Sequence, residues 1–213
     1  MTIDLTVVDD VAAAFARLVV ERAPRSFAIS GGSGAQSCYR ALAETGYDWS
    51  AVDVFVSDER WVPVDSDDSN EGVARRLLFD ATPPRRLHSL RHAGSTIETA
   101  ATAYDHLLTV FGRVEFVHLG LGPDGHTASL FPGSPAIDVD DRLVVATGDE
   151  HHQHPRLSWT FPAIARSHLV VVTVSGSSKR AALDAIRAGA DLPGARIRAH
   201  EVIWLADPDA AGT

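Results

Sequence analysis

An acid and an imidazole two residues apart, Asp124 and His126, carry the clearest potential for chemistry in this chain of 213 residues. They lie in the stretch VEFVHLGLGPDGHTASLFPGSP (114–135), in which an apolar strand turns through glycines and is expected to continue into a short helix near Thr127. A histidine takes up and releases protons near neutral pH, and an adjacent carboxylate can orient its ring. We therefore predict that His126 is a general base and Asp124 its partner.

A glycine turn earlier in the chain is suited to binding an anion. The apolar segment SFAIS (26–30) predicts a strand that runs into Gly31, Gly32 and Ser33, and the following AQSCYRALAET predicts a helix. A turn between a strand and a helix offers backbone N–H groups and the helix N-terminus to a negatively charged ligand. Many such turns carry glycine and bind nothing, so the pattern alone leaves both interpretations open.

Charged residues follow two further predicted strands. The segment VDVFVSDER (52–60) ends in Asp58, Glu59 and Arg60, a triplet that in isolation is typical of a solvated strand end with a surface ion pair. The segment HLVVVTV (168–174) leads to Lys179 in the first turn of a helix, where a lysine opposes the helix dipole. That lysine is either a tolerated surface residue or a cation beside an anion site.

The remaining clusters of basic residues are less specific. Ser69 is expected to cap the helix NEGVARRLLF, which carries Arg75. A loop with His151, His152 and His154 suggests a metal, but its spacing would not fix several imidazoles on one ion. We therefore predict no metal site.

The elements that must position these residues alternate between strands and helices. This pattern predicts an α/β fold of three layers, α/β/α, with a mostly parallel Rossmann-like sheet and helices on both faces. Ligands of such sheets bind at the carboxyl ends of the strands, where the residues above would meet. We expect one domain over residues 1–213, with residues 58 to about 90 as an irregular insertion.

Composition excludes several classes of function. The formal net charge of −9 argues against a nucleic-acid partner and requires a local basic cluster if the ligand is a phosphate ester. No apolar run is long enough for a membrane span, and the N-terminal MTIDLTVVDD does not resemble a signal peptide. A single cysteine, Cys38, excludes an internal disulfide. We expect a cytoplasmic protein.

Six motifs resemble, in order and spacing, those of the 6-phosphogluconolactonase family: SGGS (30–33), SDERWVPVDSDDSN (57–70), GLGPDGHTASLFPGSP (120–135), HPRLSWT (154–160), SGSSKRAAL (175–183) and IWLADPDAA (203–211). The resemblance implies a fold shared with glucosamine-6-phosphate deaminases. It also implies hydrolysis of 6-phospho-D-glucono-1,5-lactone to 6-phosphogluconate, in the oxidative pentose phosphate pathway, without a metal or organic cofactor. At Gly34-Ala35 the family usually shows Thr-Pro, but the backbone donors of the turn remain.

The resemblance also implies roles for individual residues. The catalytic group would be His126, Asp124 and Arg60, and the substrate and its phosphate would be bound by Gly31, Gly32, Ser33, Asp58, Arg75, Arg156 and Lys179. The partner would be a small phosphosugar lactone, and the protein a monomer or homodimer.

Two alternatives remain, a deaminase-isomerase on the same scaffold and a phosphosugar-binding module without catalysis. The deaminases carry a glutamate where Phe131 stands and a tyrosine where Arg60 stands, so both positions favour the lactonase.

Overall fold

A computed structural model of the chain describes residues 3–147 and 153–213. Its strands are β1 (Leu5–Val7), β2 (Ser26–Ile29), β3 (Asp53–Val56), β4 (Asp58–Arg60), β5 (Arg86–His88), β6 (Phe116–Gly120), β7 (Val144–Thr147), β8 (Arg156–Trp159), β9 (Leu169–Val174) and β10 (Glu201–Ala206). Seven of them form one sheet in the order β1-β10-β9-β6-β2-β3-β5, and every pair in it is parallel. The predicted mostly parallel α/β fold is confirmed.

The α-helices are α1 (Val11–Arg22), α2 (Ser33–Glu44), α3 (Asn70–Ala74), α4 (Ile97–Phe111), α5 (Phe161–Ala165), α6 (Arg180–Arg187) and α7 (Pro208–Ala211). Short 3₁₀ turns cover Pro135–Asp138, Ser177–Lys179 and Pro193–Arg196, and a π-helical turn covers Arg75–Phe79. Within the described ranges, no helix is long and apolar enough to cross a membrane.

Aromatic side chains pack helices against both faces of the large sheet. Phe15 of α1 packs against Phe27 of β2, with ring centroids 6.4 Å apart, whereas Phe111 of α4 packs against Phe55 of β3 at 4.7 Å. Phe27 lies opposite Val54 in the sheet register, so Phe55 is one step further along and points to the other face. Side chains that point to opposite faces of the large sheet thus hold α1 on one face and α4 on the other, which gives the three layers.

A second sheet, absent from the sequence-based prediction, forms beside the first. Its three antiparallel strands have the order β4-β8-β7. The chain changes sheets at Ser57, whose N–H donates to Ile29 of the large sheet and whose carbonyl accepts from Trp159 of the small one. Asp58 and Glu59 are consequently only 5% and 1% exposed, and the expectation of a solvated strand end was wrong.

Two further local expectations are corrected. The segment after residue 58 is not an irregular insertion, because it contains β4, α3 and β5, and β5 pairs with β3 in the large sheet. No helix begins near Thr127. Thr127 instead forms an isolated antiparallel bridge with Leu130, and Ala128 between them has a positive φ of 48°.

The strand order creates a crevice between β2 and β6. From β2 the chain continues through α2 to β3 on one side, whereas from β6 it continues to β9 on the other side. Connections that diverge in this way leave an opening beyond the carboxyl ends of the two central strands, where open α/β sheets bind ligands.

Candidate active site

A cavity of about 310 Å³ occupies this crevice. Its lining brings together most of the predicted site residues from five separate stretches of the chain: Gly31, Gly32, Ser33, Asp58, Arg60, His126, Arg156 and Lys179. Asp124 is not part of the lining, but its carboxylate binds the Nδ1 atom of His126. The predicted convergence at the carboxyl edge of the sheet is therefore present in the fold.

His126 and Asp124 form a hydrogen-bonded pair at the end of β6. The Nδ1 atom of His126 lies 2.5 Å from Oδ1 of Asp124, and the same oxygen accepts the His126 backbone N–H at 3.1 Å. Burial opposes ionisation of Asp124, but these hydrogen bonds and the charge of His126 outweigh it, so the pKa of Asp124 lies below its ordinary value. An ionised Asp124 accepts the proton on Nδ1, which leaves Nε2 as the basic nitrogen of the neutral ring.

Gly122 makes this pair possible. A Cβ atom at position 122 would collide with the imidazole of His126 and the carboxylate of Asp124. The Gly122 N–H also donates to the carbonyl of His126 at 2.8 Å, which closes the turn. Glycine is thus required at position 122, because the side chains of His126 and Asp124 lie too close to its Cα for a Cβ atom to fit.

Asn70 is a cavity residue that the sequence analysis missed. It is 4% exposed at the start of α3, and its Nδ2 donates to the Asp58 carbonyl at 2.8 Å. Its amide lies directly against Gly31, where any side chain would collide with it. The one available signal was its place at the end of the motif 57–70, directly after the capping residue Ser69, whose side chain accepts from the Gly72 N–H as predicted.

Asp58 forms part of the cavity wall. Its Oδ2 accepts from the Ser129 hydroxyl at 2.8 Å, and its Oδ1 lies 3.4 Å from Nδ2 of Asn70. These bonds link the turn after β6 to α3. Asp58 therefore organises neighbouring polar groups in addition to facing the cavity.

Glu59 binds the residues at the start of α3 through its buried carboxylate. Its two carboxylate oxygens accept from the backbone N–H groups of Arg60, Asn70 and Glu71 and from the Ser69 hydroxyl, all at 2.8–2.9 Å. Burial raises the pKa of Glu59 to about 7, although these four donors favour its charged form. The buried carboxylate holds the start of α3, and with it Asn70, against β4.

Three cations face the cavity. Arg60 on β4 and Arg156 on β8 are register partners, and the Nε atom of each is buried with no hydrogen-bond partner in the described residues. Burial lowers the pKa of Arg156. It also lowers that of Lys179, and the charge of Asp124 acts in the opposite direction. Three cations that line one cavity are suited to an anionic ligand.

Arg75 lies outside the cavity, contrary to the expectation. Its guanidinium donates to Oε1 of the buried Glu71, from Nε at 2.9 Å and from Nη2 at 2.8 Å. It lines a separate surface depression with Arg76 and Arg91. Arg75 follows Asn70 by five helical positions, which turns its side chain about 140° away from that of Asn70 and from the cavity.

The histidine-rich loop lies partly outside the described residues, since His151 and His152 are not among them. The Nε2 atom of His154 lies 3.2 Å from Oδ2 of Asp68. Among residues 3–147 and 153–213, no three His, Cys, Asp or Glu side chains are grouped so that they could hold a metal ion.

Residues 3–204 match the family of glucosamine-6-phosphate isomerases and 6-phosphogluconolactonases. The chain belongs to this family. It is 40% identical over 209 residues to the 6-phosphogluconolactonase of Synechocystis, a match that covers 91% of this chain and 86% of that protein. It is 35% identical to that of Pseudomonas putida over 213 residues, which covers 97% and 86%. The family resemblance predicted from the motifs is confirmed.

Solved structures of the family have the same fold. The 6-phosphogluconolactonase of Thermotoga maritima superposes with a TM-score of 0.86 at 27% identity, over 97% of this chain and 100% of that one. The enzyme of Trypanosoma brucei gives 0.86 at 28% identity, over 99% and 98%. A monomeric glucosamine-6-phosphate deaminase, at 18% identity over 100% and 99%, gives 0.84 and shares the fold.

Proposed function

We propose that the protein hydrolyses 6-phospho-D-glucono-1,5-lactone to 6-phospho-D-gluconate. The observation that carries the proposal is the Asp124–His126 pair, placed at the same cavity as the glycine turn and three cations. The relatives at 35–40% identity are 6-phosphogluconolactonases, which supports the same reaction here. Proton transfer at one end and anion binding at the other are what this substrate requires.

The chemistry needs one group that acts first as a base and then as an acid. In the proposed step, Nε2 of His126 removes a proton from water while the water oxygen bonds to C1 of the lactone. The carbonyl oxygen takes the negative charge of the tetrahedral intermediate. When the bond from C1 to the ring oxygen breaks, the imidazolium returns its proton to that oxygen. The carboxylic acid formed at C1 then releases its proton to solvent and becomes the carboxylate of the product. Asp124 holds the ring and stabilises the imidazolium meanwhile.

Charge that develops on the carbonyl oxygen requires a donor in the cavity. Arg60 is the cation that we assign to this role, because it lies in the lining and its Nη1 is held by the Asp68 carbonyl at 2.7 Å. A donor that is positioned before the reaction stabilises the transition state without reorganisation.

The phosphate would bind at the glycine turn. Gly32 precedes α2 with a φ of 93°, and no side chain of the described residues caps that helix, so its first N–H groups are available to an anion. Lys179 and Arg156 line the same cavity and supply positive charge. Together they offset the repulsion that a net charge of −9 exerts on a phosphate ester.

The deaminase alternative is disfavoured at Phe131. Its ring packs against that of His126, with centroids 4.5 Å apart, and it is 5% exposed. Isomerisation with loss of ammonia needs additional proton-transfer groups near the substrate, and a phenyl ring neither takes nor gives a proton.

One purified sample tests the proposal through two assays. We expect hydrolysis of 6-phosphogluconolactone well above its spontaneous rate and no ammonia release from glucosamine 6-phosphate. Ammonia release at an enzymatic rate, with lactone hydrolysis no faster than in buffer, would show that the deaminase assignment is the right one. Tight binding of the phosphosugar without either reaction would indicate a binding module.

A further inference from the structure

His118 is a buried histidine that takes no part in the proposed reaction. It lies on β6 with 0% exposure, and its ring packs against that of Phe15, with centroids 4.1 Å apart and planes tilted by 35°. Its Nε2 lies 2.9 Å from Oγ1 of Thr173 and its Nδ1 lies 3.2 Å from the Tyr39 hydroxyl. Burial lowers the pKa of His118 to about 3, so the ring is neutral at physiological pH. A neutral imidazole has one donor and one acceptor nitrogen.

The bonds of Tyr39 decide which nitrogen carries the proton. The Tyr39 oxygen accepts the Ser30 N–H at 2.8 Å and donates its one proton to the Ser30 carbonyl at 3.1 Å. Tyr39 therefore has no second proton for His118, and Nδ1 of His118 must be the donor in their contact. Nε2 is then unprotonated and accepts the proton of the Thr173 hydroxyl.

These hydrogen bonds form a relay from Ser30 through Tyr39 and His118 to Thr173, and Thr173 is the end that borders the cavity. It is at the carboxyl end of β9, 6% exposed, and it belongs to the cavity lining. Because its only proton is directed at His118, its oxygen acts as an acceptor towards the cavity. The Cys38 sulfur is a second possible acceptor of the Thr173 proton, but a thiol sulfur is a weak acceptor, and burial raises the Cys38 pKa to about 12, so the thiol stays uncharged and competes poorly with the His118 nitrogen.

The cavity wall combines Thr173 with apolar and uncharged polar residues. Val11 and Ala12 of α1 and Ala35 of α2 contribute apolar surface, and Cys38 and Ser175 also belong to the lining. An uncharged acceptor favours a neutral donor such as a sugar hydroxyl, whereas a phosphate would bring negative charge and further acceptors against its lone pair.

We propose that Thr173 is a specificity-determining residue that accepts a hydrogen bond from one hydroxyl of the sugar chain, and that His118 is the positioning residue that sets its polarity. The inference rests on the proposed function, because it takes the ligand to be a polyhydroxylated phosphosugar. It assigns the side of the cavity near α1 to the hydroxylated carbons. Through Tyr39, the same relay also holds the Ser30 backbone at the entry to the glycine turn.

Binding of the reaction product tests Thr173 directly. Thr173→Val removes the hydroxyl and keeps the shape of the side chain. We expect it to weaken binding of 6-phosphogluconate about three- to tenfold, the effect of one neutral hydrogen bond. We also expect one product analogue that lacks a single hydroxyl to bind the wild type and Thr173→Val equally, whereas analogues that lack other hydroxyls keep the difference. Thr6→Val on the exposed edge strand β1 is the matched control.

The analogue series separates specificity from a structural effect. If Thr173→Val binds every analogue as the wild type does, or weakens all of them by one common factor, the proposal is wrong. A bound water as the only partner of Thr173 would give the first of these results. A sample that binds the product but hydrolyses no lactone would count against the proposed function and not against Thr173.

His118 is tested by spectroscopy and by a pair of variants. Imidazole ¹⁵N shifts of the wild type are expected to report a neutral ring with the proton on Nδ1 at pH 7. A proton on Nε2, or a charged ring, contradicts the relay. His118→Leu is expected to weaken product binding as Thr173→Val does, whereas His118→Gln, whose carbonyl can accept the Thr173 proton, is expected to restore part of it with kcat changed less than KM. Equal loss in both variants would mean that His118 is merely part of the core. If neither folds, the ¹⁵N measurement and the Thr173 series still decide.

Discussion

Arg60 and Arg156 face each other across two antiparallel strands, and each has a buried Nε atom without a partner among the described residues. The two guanidinium groups repel each other, and the neighbouring carboxylates of Asp58, Glu59 and Asp68 offset this repulsion at Arg156. The relationship joins the Asp-Glu-Arg motif to the His-Pro-Arg motif, which are far apart in the chain. Together with Lys179, the two arginines give the cavity three cations, which favours a phosphorylated ligand.

We expect Arg156→Gln to weaken binding of 6-phosphogluconate about 10- to 100-fold, because a charge-assisted hydrogen bond contributes about 1.5–3 kcal/mol. The stability of the free protein should change little, because Arg156 is repelled by Arg60 but attracted by the carboxylates of Asp58, Glu59 and Asp68. Calorimetric titration and thermal unfolding measure both effects. Arg17→Gln on the exposed face of α1 is the control. Unchanged affinity in Arg156→Gln would place the anion elsewhere.

We expect His126→Ala to lower kcat about 10²- to 10⁴-fold, the usual effect of losing a general base, without loss of thermal stability. Initial rates of lactone hydrolysis must be corrected for the spontaneous reaction. His106→Ala removes an exposed histidine on α4 and should leave the rate unchanged. Turnover of His126→Ala close to that of the wild type would refute the role of this residue. The kcat of Asp124→Asn is expected to lie between those of the wild type and His126→Ala, because the His126 ring loses its anionic partner.

We expect Lys179→Ala to raise KM for 6-phosphogluconolactone far more than KM for unphosphorylated gluconolactone, because Lys179 is assigned to the phosphate. An equal loss on both substrates would instead place Lys179 at the reacting end or in a structural role. The comparison needs the same correction for spontaneous hydrolysis.

The pKa of Lys179 also predicts an alkaline limit of phosphate binding. Burial lowers this pKa below the ordinary lysine value, so the positive charge is present at neutral pH and is lost as the pH rises through the shifted pKa. Affinity for 6-phosphogluconate should therefore begin to fall at a lower pH than it would if Lys179 had the ordinary lysine pKa. Lys179→Arg should keep its affinity at alkaline pH, because a guanidinium stays charged. Identical pH profiles for the two proteins would argue against the assignment.

Stability is expected to fall in acid because the buried His118 and the half-buried His88 are neutral in the folded protein. Burial lowers the pKa of His88 to about 4, with a smaller contribution from Arg86 and Arg85, and lowers that of His118 to about 3. Their contribution to folding is complete above the ordinary histidine pKa of about 6.5 and is lost as the pH falls from there towards these values. Each can change the free energy of unfolding by up to about 1.4 kcal/mol per pH unit.

Urea unfolding between pH 7.5 and pH 5 measures this dependence. His88→Gln should show a shallower slope than the wild type, since Gln does not titrate. The raised pKa of Glu59 acts in the opposite direction, because its contribution is lost as the pH rises from about 4.5 to about 7. Because Glu59 is present in both proteins, its contribution cancels when the slopes of the wild type and the variant are compared. Parallel slopes would mean that His88 is already charged in the folded protein.

The sequence alone determined the features that depend on neighbouring residues. Asp124 and His126 meet because they are two positions apart across a glycine turn, and the glycine turn meets α2 because strand, turn and helix follow one another. The parallel sheet was predicted from the alternation of elements, and it brings the ends of β2, β6 and β9 to one edge. Lys179 reaches the cavity for the same reason.

Tertiary structure decided what depends on register and on the direction of side chains. Arg60 opposes Arg156 only because β4 leaves the large sheet and pairs with β8, a change that short-range patterns do not record. Asn70 lines the cavity and Arg75 does not, because the two side chains point in different directions from one helical segment. The partners of His118 come from α2 and β9, which adjoin β6 only in the folded chain. Hydrogen bonds and packing between distant segments select these positions, and their energies are absent from any local stretch of sequence.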